Sequence, residues 1–488
     1  MITFVVGLII WLLTILIPVN DFFGKILGFC QSTGSIVCTD SDEAMLSLPK
    51  KIGYSMGRFG PSFLLTMITV SAFYVYGTSF RLSWFLNGIS LAASYVVIGL
   101  THWFTGYCSD SMESRWGRRR PFVILGTPGI VITAFLLFVP NWFINTANPA
   151  LELVLFTYYT MLLCLFKFFY ALTMTAHQAW LPEITDETER PLVSGFMNTF
   201  NFAADSTGGM FGFMAPLLII EGPPEQLNEI GLTLLLVFCG LTFLFMLPSM
   251  TVIRAKPDIK PIERSLREET RVALGNRIFV RWTLVVGFLS FTLIAISQSL
   301  VGFLQQVMFL VSIETLAPAA LAMLGSTIVF FYIWLTGIKK LGKKRSLIIG
   351  LVVLAVSTPM TLVLRNIGTT IGYTTAAILF FVPVGAGMSI YYLMSYIVPA
   401  DIAQVDEIVT GESRSGIYAG FIGVPLNMFQ AASSVLLGAL MQISVILTGE
   451  ELQGFMWWGP VYMPFLLIAA FLLRKIDIDP DFEELKKE

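Results

Sequence analysis

The chain has 488 residues, of which 56% are hydrophobic and only 13% charged. A soluble domain carries about a quarter charged residues, so the missing charge excludes an ordinary soluble enzyme. A formal net charge of −2 offers no basic surface for nucleic acid, and five scattered cysteines with two histidines exclude a disulfide scaffold or a zinc motif.

Forty glycines, twenty-three prolines and forty-one phenylalanines suit helices whose solvent is a bilayer. At about 20 apolar residues per span, the length holds about a dozen helices and no soluble domain of normal size. In chain order the apolar runs fall at 2–20, 52–77, 83–107, 121–140, 152–181, 192–219 and 229–253. The first, Ile2–Pro18, is barely long enough to span and has no basic segment ahead of it, which speaks against a cleaved leader. It reads as an extra helix with the N-terminus outside; a mis-assigned start codon or a helix lying in the membrane plane are the alternatives. Cys30 and Cys38 read as two unrelated thiols.

A polar stretch, Arg254–Arg281, follows with eight basic residues, and six further runs occupy 282–311, 315–338, 346–364, 373–398, 415–447 and 455–473. Uncharged runs of this length cannot be barrel strands, which are about ten residues with alternating polarity. The expected fold class is therefore an all-α polytopic membrane protein. Its divisions are an N-terminal segment (1–50), a six-helix bundle (51–253), a linker (254–281), a second six-helix bundle (282–475) and a tail (476–488). Placing the start of span 52–77 inside puts twenty-five Lys and Arg on the cytoplasmic side and leaves Arg81 and Arg365 outside. By the positive-inside rule, linker and C-terminus are then cytoplasmic in a multi-pass protein of the cell membrane.

Two kinds of loop recur at equivalent places. Gly106-Tyr-Cys-Ser-Asp110, continuing to Arg115-Trp-Gly117-Arg118-Arg119-Arg120, is matched by Gly337-Ile-Lys-Lys-Leu-Gly342-Lys-Lys-Arg345. Leu181-Pro-Glu-Ile-Thr185, through Arg190 to Ser194-Gly195, is matched by Pro399-Ala-Asp-Ile402, through Arg414 to Ser415-Gly416. Such doubling suits a transporter built from two repeats.

The stretch Gly106–Arg120 resembles the loop signature of the major facilitator superfamily. Its longer form, Ser109–Phe122, is similar to the glycoside–pentoside–hexuronide:cation symporter family and nearly as similar to the sucrose:proton symporters. Lys51–Gly60, Trp180–Thr185, Ala400–Gly411 and Gly416–Gly420 favour the first family, and the likeness runs over residues 50–475. It implies cation-coupled movement of sugars by alternating access, with a sugar-like small molecule and membrane lipids as partners, no cofactor, and a monomer. The carboxylates of cation-coupled members fall here on Ile98, His102 and Met174, and the family's sugar-binding acid falls near Ser62. None of these is acidic, so sodium coupling does not carry over and a proton is favoured.

A charge at bilayer depth is costly and marks a function or a pair. Lys167 and Asp205 lie roughly 21–23 Å along consecutive helices from one cytoplasmic loop, at 1.5 Å per residue. Lys167, Tyr170, Met174 and His177 form one helical stripe, and Ser194, Asn198, Asn201 and Asp205 another. Amides and carboxylates bind sugar hydroxyls as donors and acceptors, so the stripes are expected to line a cavity in which Lys167 and Asp205 pair; a purely structural pair is the alternative. Gln298 and Gln305 on the seventh core helix, and Asn427, Gln430 and Ser434 on the eleventh, either line the same cavity or glue helices together. Asp205, His102 and His177 are the candidate proton carriers; a hydrogen-bonding role for each histidine is the alternative. Arg58 is expected to snorkel to the interface. Asp110 with Arg115, Gly117 and Arg118–Arg120 is expected to latch one gating state, against the plainer reading that these arginines only set topology. The chain has no Walker loop, nucleophile elbow or paired-carboxylate motif. A secondary transporter is the leading reading, with a lysolipid carrier on the same fold behind it.

Overall fold

The computed structural model describes residues 47–111, 119–145, 150–185, 189–220, 226–251, 266–410, 418 and 421–479. The run at 2–20 lies outside them. The first core helix is built from α1 (Leu48–Met56) and α2 (Phe59–Tyr74), broken at Gly57 and finished by a π-helical turn, Val75–Ser79. Then come α3 (Trp84–Ser111), α4 (Arg120–Leu137), α5 (Leu151–Ile184), α6 (Arg190–Met214) and α7 (Glu229–Thr251). A short α8 (Leu266–Gly275) occupies the expected linker. The seventh core helix, α9 (Arg277–Gly302), begins earlier than the apolar run because the Asn276 side chain accepts from Ile278 N and Phe279 N at its start. It too ends in a π-helical turn, Phe303–Val307.

The chain continues as α10 (Ile313–Leu341), α11 (Lys343–Ser357), a short α12 (Leu364–Ile371), α13 (Tyr373–Thr410), α14 (Gly423–Thr448) and α15 (Leu452–Arg474). Among the described residues, the one β ladder is a two-residue pairing of Ile219–Ile220 with Gln226–Leu227. Helix α13 runs on through Pro399 to Thr410, twelve residues past its expected end.

Among the described residues, eleven helices are long and apolar enough to cross a membrane. Helix α6 falls outside that set because Ser194, Asn198, Asn201 and Asp205 dilute its apolar character, yet it packs along α2. Its company is thus other helices and the space between them. Where α3 crosses α14 the backbones nearly touch: a Cβ on Gly88 would stand 2.5 Å from the Ser434 carbonyl oxygen, and one on Gly438 2.9 Å from the Gly88 Cα.

The chain repeats itself in backbone detail. After the first π turn, Phe80 N bonds Val75 O, Leu82 N bonds Tyr76 O, and Arg81 takes φ 57°. After the second, Met308 N bonds Phe303 O, Leu310 N bonds Leu304 O, and Phe309 takes φ 52°. Left-handed backbone at a bulky residue is an outlier that local packing must hold; the same one occurs twice, at the end of the first and of the seventh core helix.

Candidate solute and cation site

The helices bearing Lys50, Arg120 and Lys343 at their starts define a basic end. At the opposite end, residues from early and late helices close on each other. Gln306 Nε2 donates to the Tyr74 hydroxyl at 3.0 Å, Thr78 Oγ1 donates to Glu451 at 3.5 Å, and Phe455 packs on Trp84 and Tyr74. Burial raises the Glu451 carboxyl above its ordinary value, with Trp84 and Thr78 as donors pulling partly back. Toward the basic end, the polar face of α6 is open: Asn198, Phe202 and Asp205 are exposed, as is Gln178 on α5.

That open face carries a connected set of side chains from three helices. Arg58, at the start of α2, donates from Nε to Asn201 Oδ1 at 2.9 Å. Its Nη1 approaches Met174 Sδ at 3.6 Å. With the Gln178 amide turned so that its oxygen faces the guanidinium, that oxygen accepts from Arg58 Nη1 and, at 2.9 Å, from Nη2. Ser62 donates to the same Asn201 oxygen at 2.8 Å, while Asn201 Nδ2 donates to Asp205 Oδ2 at 2.9 Å. Thr66 completes the set, donating to Asp205 Oδ1 at 2.7 Å. Arg58, Ser62 and Thr66 recur every four residues, so one face of α2 meets one face of α6. Arg58 therefore does not snorkel; it turns inward because amide and thioether acceptors from two neighbouring helices reach it.

The expected pairing of Lys167 with Asp205 is not formed. Lys167 is 2% exposed, its Nζ lies 2.9 Å from the centroid of the Tyr95 ring on α3, and it has no hydrogen-bond partner among the described residues. Equal depth on consecutive helices did not mean a shared face: Lys167 turns to α3, Asp205 to α2. Tyr170 is buried with Lys167, its ring set edge-on to His102 at 6.4 Å.

His177 is a packing residue rather than a cavity one. It is fully buried, stacked on Tyr54 with ring centroids 4.3 Å apart, and its Nε2 lies 3.2 Å from Tyr54 O and 3.3 Å from Ser249 Oγ. The Tyr54 hydroxyl donates back to the His177 carbonyl, which closes the stitch between α1 and α5. His102 is partly exposed, and its Nδ1 is hydrogen-bonded to Thr175 Oγ1 at 2.6 Å.

In the later helices the amides serve mostly as glue. Gln298 is fully buried and donates to Ser434 Oγ at 2.9 Å; Gln430 donates to Ser290 Oγ at 2.8 Å, both joining α9 to α14. Asn427 donates to Gly423 O on its own helix at 2.7 Å and packs against Gly99 of α3.

The side chain of Asp110 and residues 112–118, with Arg115, Gly117 and Arg118, lie outside the described residues. Arg119 and Arg120 are described. Arg119 Nε donates to Glu183 at 2.9 Å with both groups buried, and Nη1 donates to Ser109 Oγ. Arg120 donates to Met250 O and Thr251 O, the last carbonyls of α7. The second repeat holds a matching pair: Lys343, the first residue of α11, donates to Asp401 at 2.6 Å. Glu183 and Asp401 each follow the proline of the two matched loops, a correspondence visible in the sequence but not read there as an ion pair. A third pair, Lys51 with Glu189 at 2.7 Å, ties the start of α1 to the start of α6.

Comparison with known proteins agrees with this architecture. A family model described as MFS/sugar transport protein matches residues 53–473. The chain is similar to an uncharacterized symporter of Synechocystis sp., sll1374, with 21% identity over 483 residues, covering 79% of this chain and 84% of that one. It is also similar to YagG of Escherichia coli, provisionally named a glycoside/cation symporter, with 24% identity over 246 residues, half of each chain. In fold it resembles a solved D-xylose–proton symporter, with a TM-score of 0.62 and 14% identity over 88% of this chain and 97% of that one. A symporter type implies a coupling cation and a small-molecule solute, and the helices make this a multi-pass membrane protein. With the match spanning nearly all the described helices, the chain belongs to the MFS/sugar transport protein family.

Proposed function

We propose that the chain is a secondary active transporter that moves a sugar or glycoside across the cell membrane by alternating access, coupled to a proton. It works as two six-helix halves, 51–253 and 282–475, with linker, C-terminus and the basic end cytoplasmic. The contacts at the opposite end then describe a state closed outward and open inward.

The observation that carries this reading is Asp205: a carboxylate in the middle of a helix, exposed toward open space, and held by Thr66 and Asn201. Proton exchange needs a group that water reaches in one state and the protein encloses in another. Lys167, buried under Tyr95, and His177, buried under Tyr54, do not meet that requirement in this state; Asp205 does.

Proteoliposomes containing the full chain, given a panel of sugars and lysophospholipids under imposed proton or sodium gradients, test the reading. Asp205→Asn is expected to abolish proton-driven uptake while sparing exchange of solute across the membrane. Full proton-driven uptake by that variant would remove Asp205 as carrier, and sodium-driven uptake would remove the proton. Movement of lysophospholipids with no sugar moved would replace the solute class.

A further inference from the structure

We infer that Arg58 is an oxyanion-binding residue of the cavity, and that the transported solute carries a single carboxylate or phosphate group. This rests on the transport reading above and adds to it the charge of the solute.

Arg58 differs from three other described basic residues that are drawn in between helices. Lys51, Arg119 and Lys343 each meet a carboxylate, at 2.7, 2.9 and 2.6 Å. Arg58 instead meets two amide oxygens and a thioether sulfur, all neutral. It stands ten residues after Leu48, roughly 15 Å along the helix at 1.5 Å per residue, where an uncompensated charge is expensive. The sulfur is a weak acceptor, so part of the guanidinium fork is poorly used. The Asp205 carboxylate is one amide away, and both its oxygens are taken by Thr66 and Asn201.

Access separates Arg58 from Lys167. Arg58 is half-buried on the face where Gln178 and Asp205 are exposed, whereas the Lys167 ammonium is covered by the Tyr95 ring. A planar guanidinium with free donor capacity matches the two oxygens of a carboxylate or phosphate in a bidentate way. An arriving oxyanion would take over the donors now spent on Met174 and Gln178 and would leave the Nε bond to Asn201 in place. The charged and polar groups set against Asp205 are Arg58 and Thr66 of α2 and Asn201 of its own helix. A proton on Asp205 removes the negative charge that lies one amide away from Arg58, so proton and anion load together.

Matched probes test this on the intact protein: glucose 6-phosphate and D-glucuronate against D-glucose, with lysophosphatidylglycerol as a lipid-borne phosphate. Binding is read by titration of the purified chain, and movement by uptake into proteoliposomes. Wild type should bind at least one acidic probe about tenfold or more tighter than D-glucose, a gap of about 1.4 kcal/mol. Arg58→Gln should erase that preference, and Arg58→Lys should restore part of it. The wild-type comparison needs no variant, so a folding defect in Arg58→Gln does not shield the idea. Equal or tighter binding of D-glucose, or no binding by any acidic probe, overturns it. D-glucose uptake that Arg58→Gln leaves unchanged would retain sugar transport and sink the anion. Arg58-dependent binding of lysophosphatidylglycerol alone would retain the anion site and sink the sugar.

Discussion

Ser194, Asn198, Asn201 and Asp205 on α6, and Asn427, Gln430 and Ser434 on α14, are stripes of one kind: small polar groups recurring on one face of an otherwise apolar helix. On α14 the stripe is absorbed by α9, whose Ser290 and Gln298 stand at matching depths and bond to Gln430 and Ser434. On α6 it faces open space, and the groups it meets belong to α2, with Arg58 foremost. The lesson is that a polar stripe does not announce its own role. A neighbour with a complementary hydroxyl turns it into glue, whereas a neighbour that supplies a charge and leaves room makes it a candidate site.

Among the changes that separate the two stripes, the largest effect should come from Asn201→Leu. This change cuts the link from Arg58 to Asp205, and a hydrogen bond to a charged group is worth about 1.5–3 kcal/mol. Solute uptake should fall about 10- to 100-fold even where the variant stays folded, measured as initial rates in proteoliposomes beside unfolding midpoints in detergent. Unchanged uptake would erase the distinction between the two stripes.

Lys167→Met comes next, with the opposite sign in stability. Its amine has an aromatic face and no hydrogen bond among the described residues, and a buried polar group without a partner costs stability. Replacement by an apolar chain of similar length should stabilise the protein by about 1–2 kcal/mol, by analogy with buried ionic groups replaced by packed apolar ones; a lowered unfolding midpoint would show that the Tyr95 contact matters more than the desolvation.

Gln298→Leu probes the glue. It should cost about 1 kcal/mol of stability, the usual net worth of one hydrogen bond, and leave uptake rates largely intact. Loss of uptake with stability preserved would move α14 into the site.

The smallest effect concerns the closed end. Burial raises the Glu451 carboxyl above 4.5, so its protonated form suits the closed contact better than the ionised form does. By linkage, the stabilisation of closure is complete below pH 4.5 and is lost as pH rises through the raised value. Acidifying that side should slow maleimide labelling of a cysteine placed at Leu452, and Glu451→Gln should flatten the dependence. Faster labelling in acid would reverse the assignment.

Most of the fold was legible because long uncharged runs have one solution in a bilayer. Element ends were legible only where a residue has a local effect. The apolar run placed the start of the seventh core helix at 282, but the Asn276 cap sets it at Arg277. The twin π turns left no trace, since Val75–Ser79 and Phe303–Val307 share no residue pattern. In the site, direction was not legible. Equal spacing from one loop was expected to bring Lys167 and Asp205 together, but the rotation of each helix, fixed by its neighbours, turns them apart. Arg58 was expected to snorkel because a basic residue near a helix start ordinarily reaches for water; Asn201 and Gln178 lie 143 and 120 residues later and give it another option. The spacing of Arg58, Ser62 and Thr66 was the available signal.

The glycine crossing of α3 and α14 bears on how such a molecule can move. At Gly88 and Gly438 nothing projects from either backbone, so the two helices meet as smooth rods rather than as meshed gears. Swivelling about that point requires no side chain to leave a socket, and dispersion between the backbones holds the rods together throughout. A single methyl at Gly88 would meet the Ser434 carbonyl oxygen at 2.5 Å, closer than the atoms' radii permit. The bearing would then become a wedge that holds the swivel to one side.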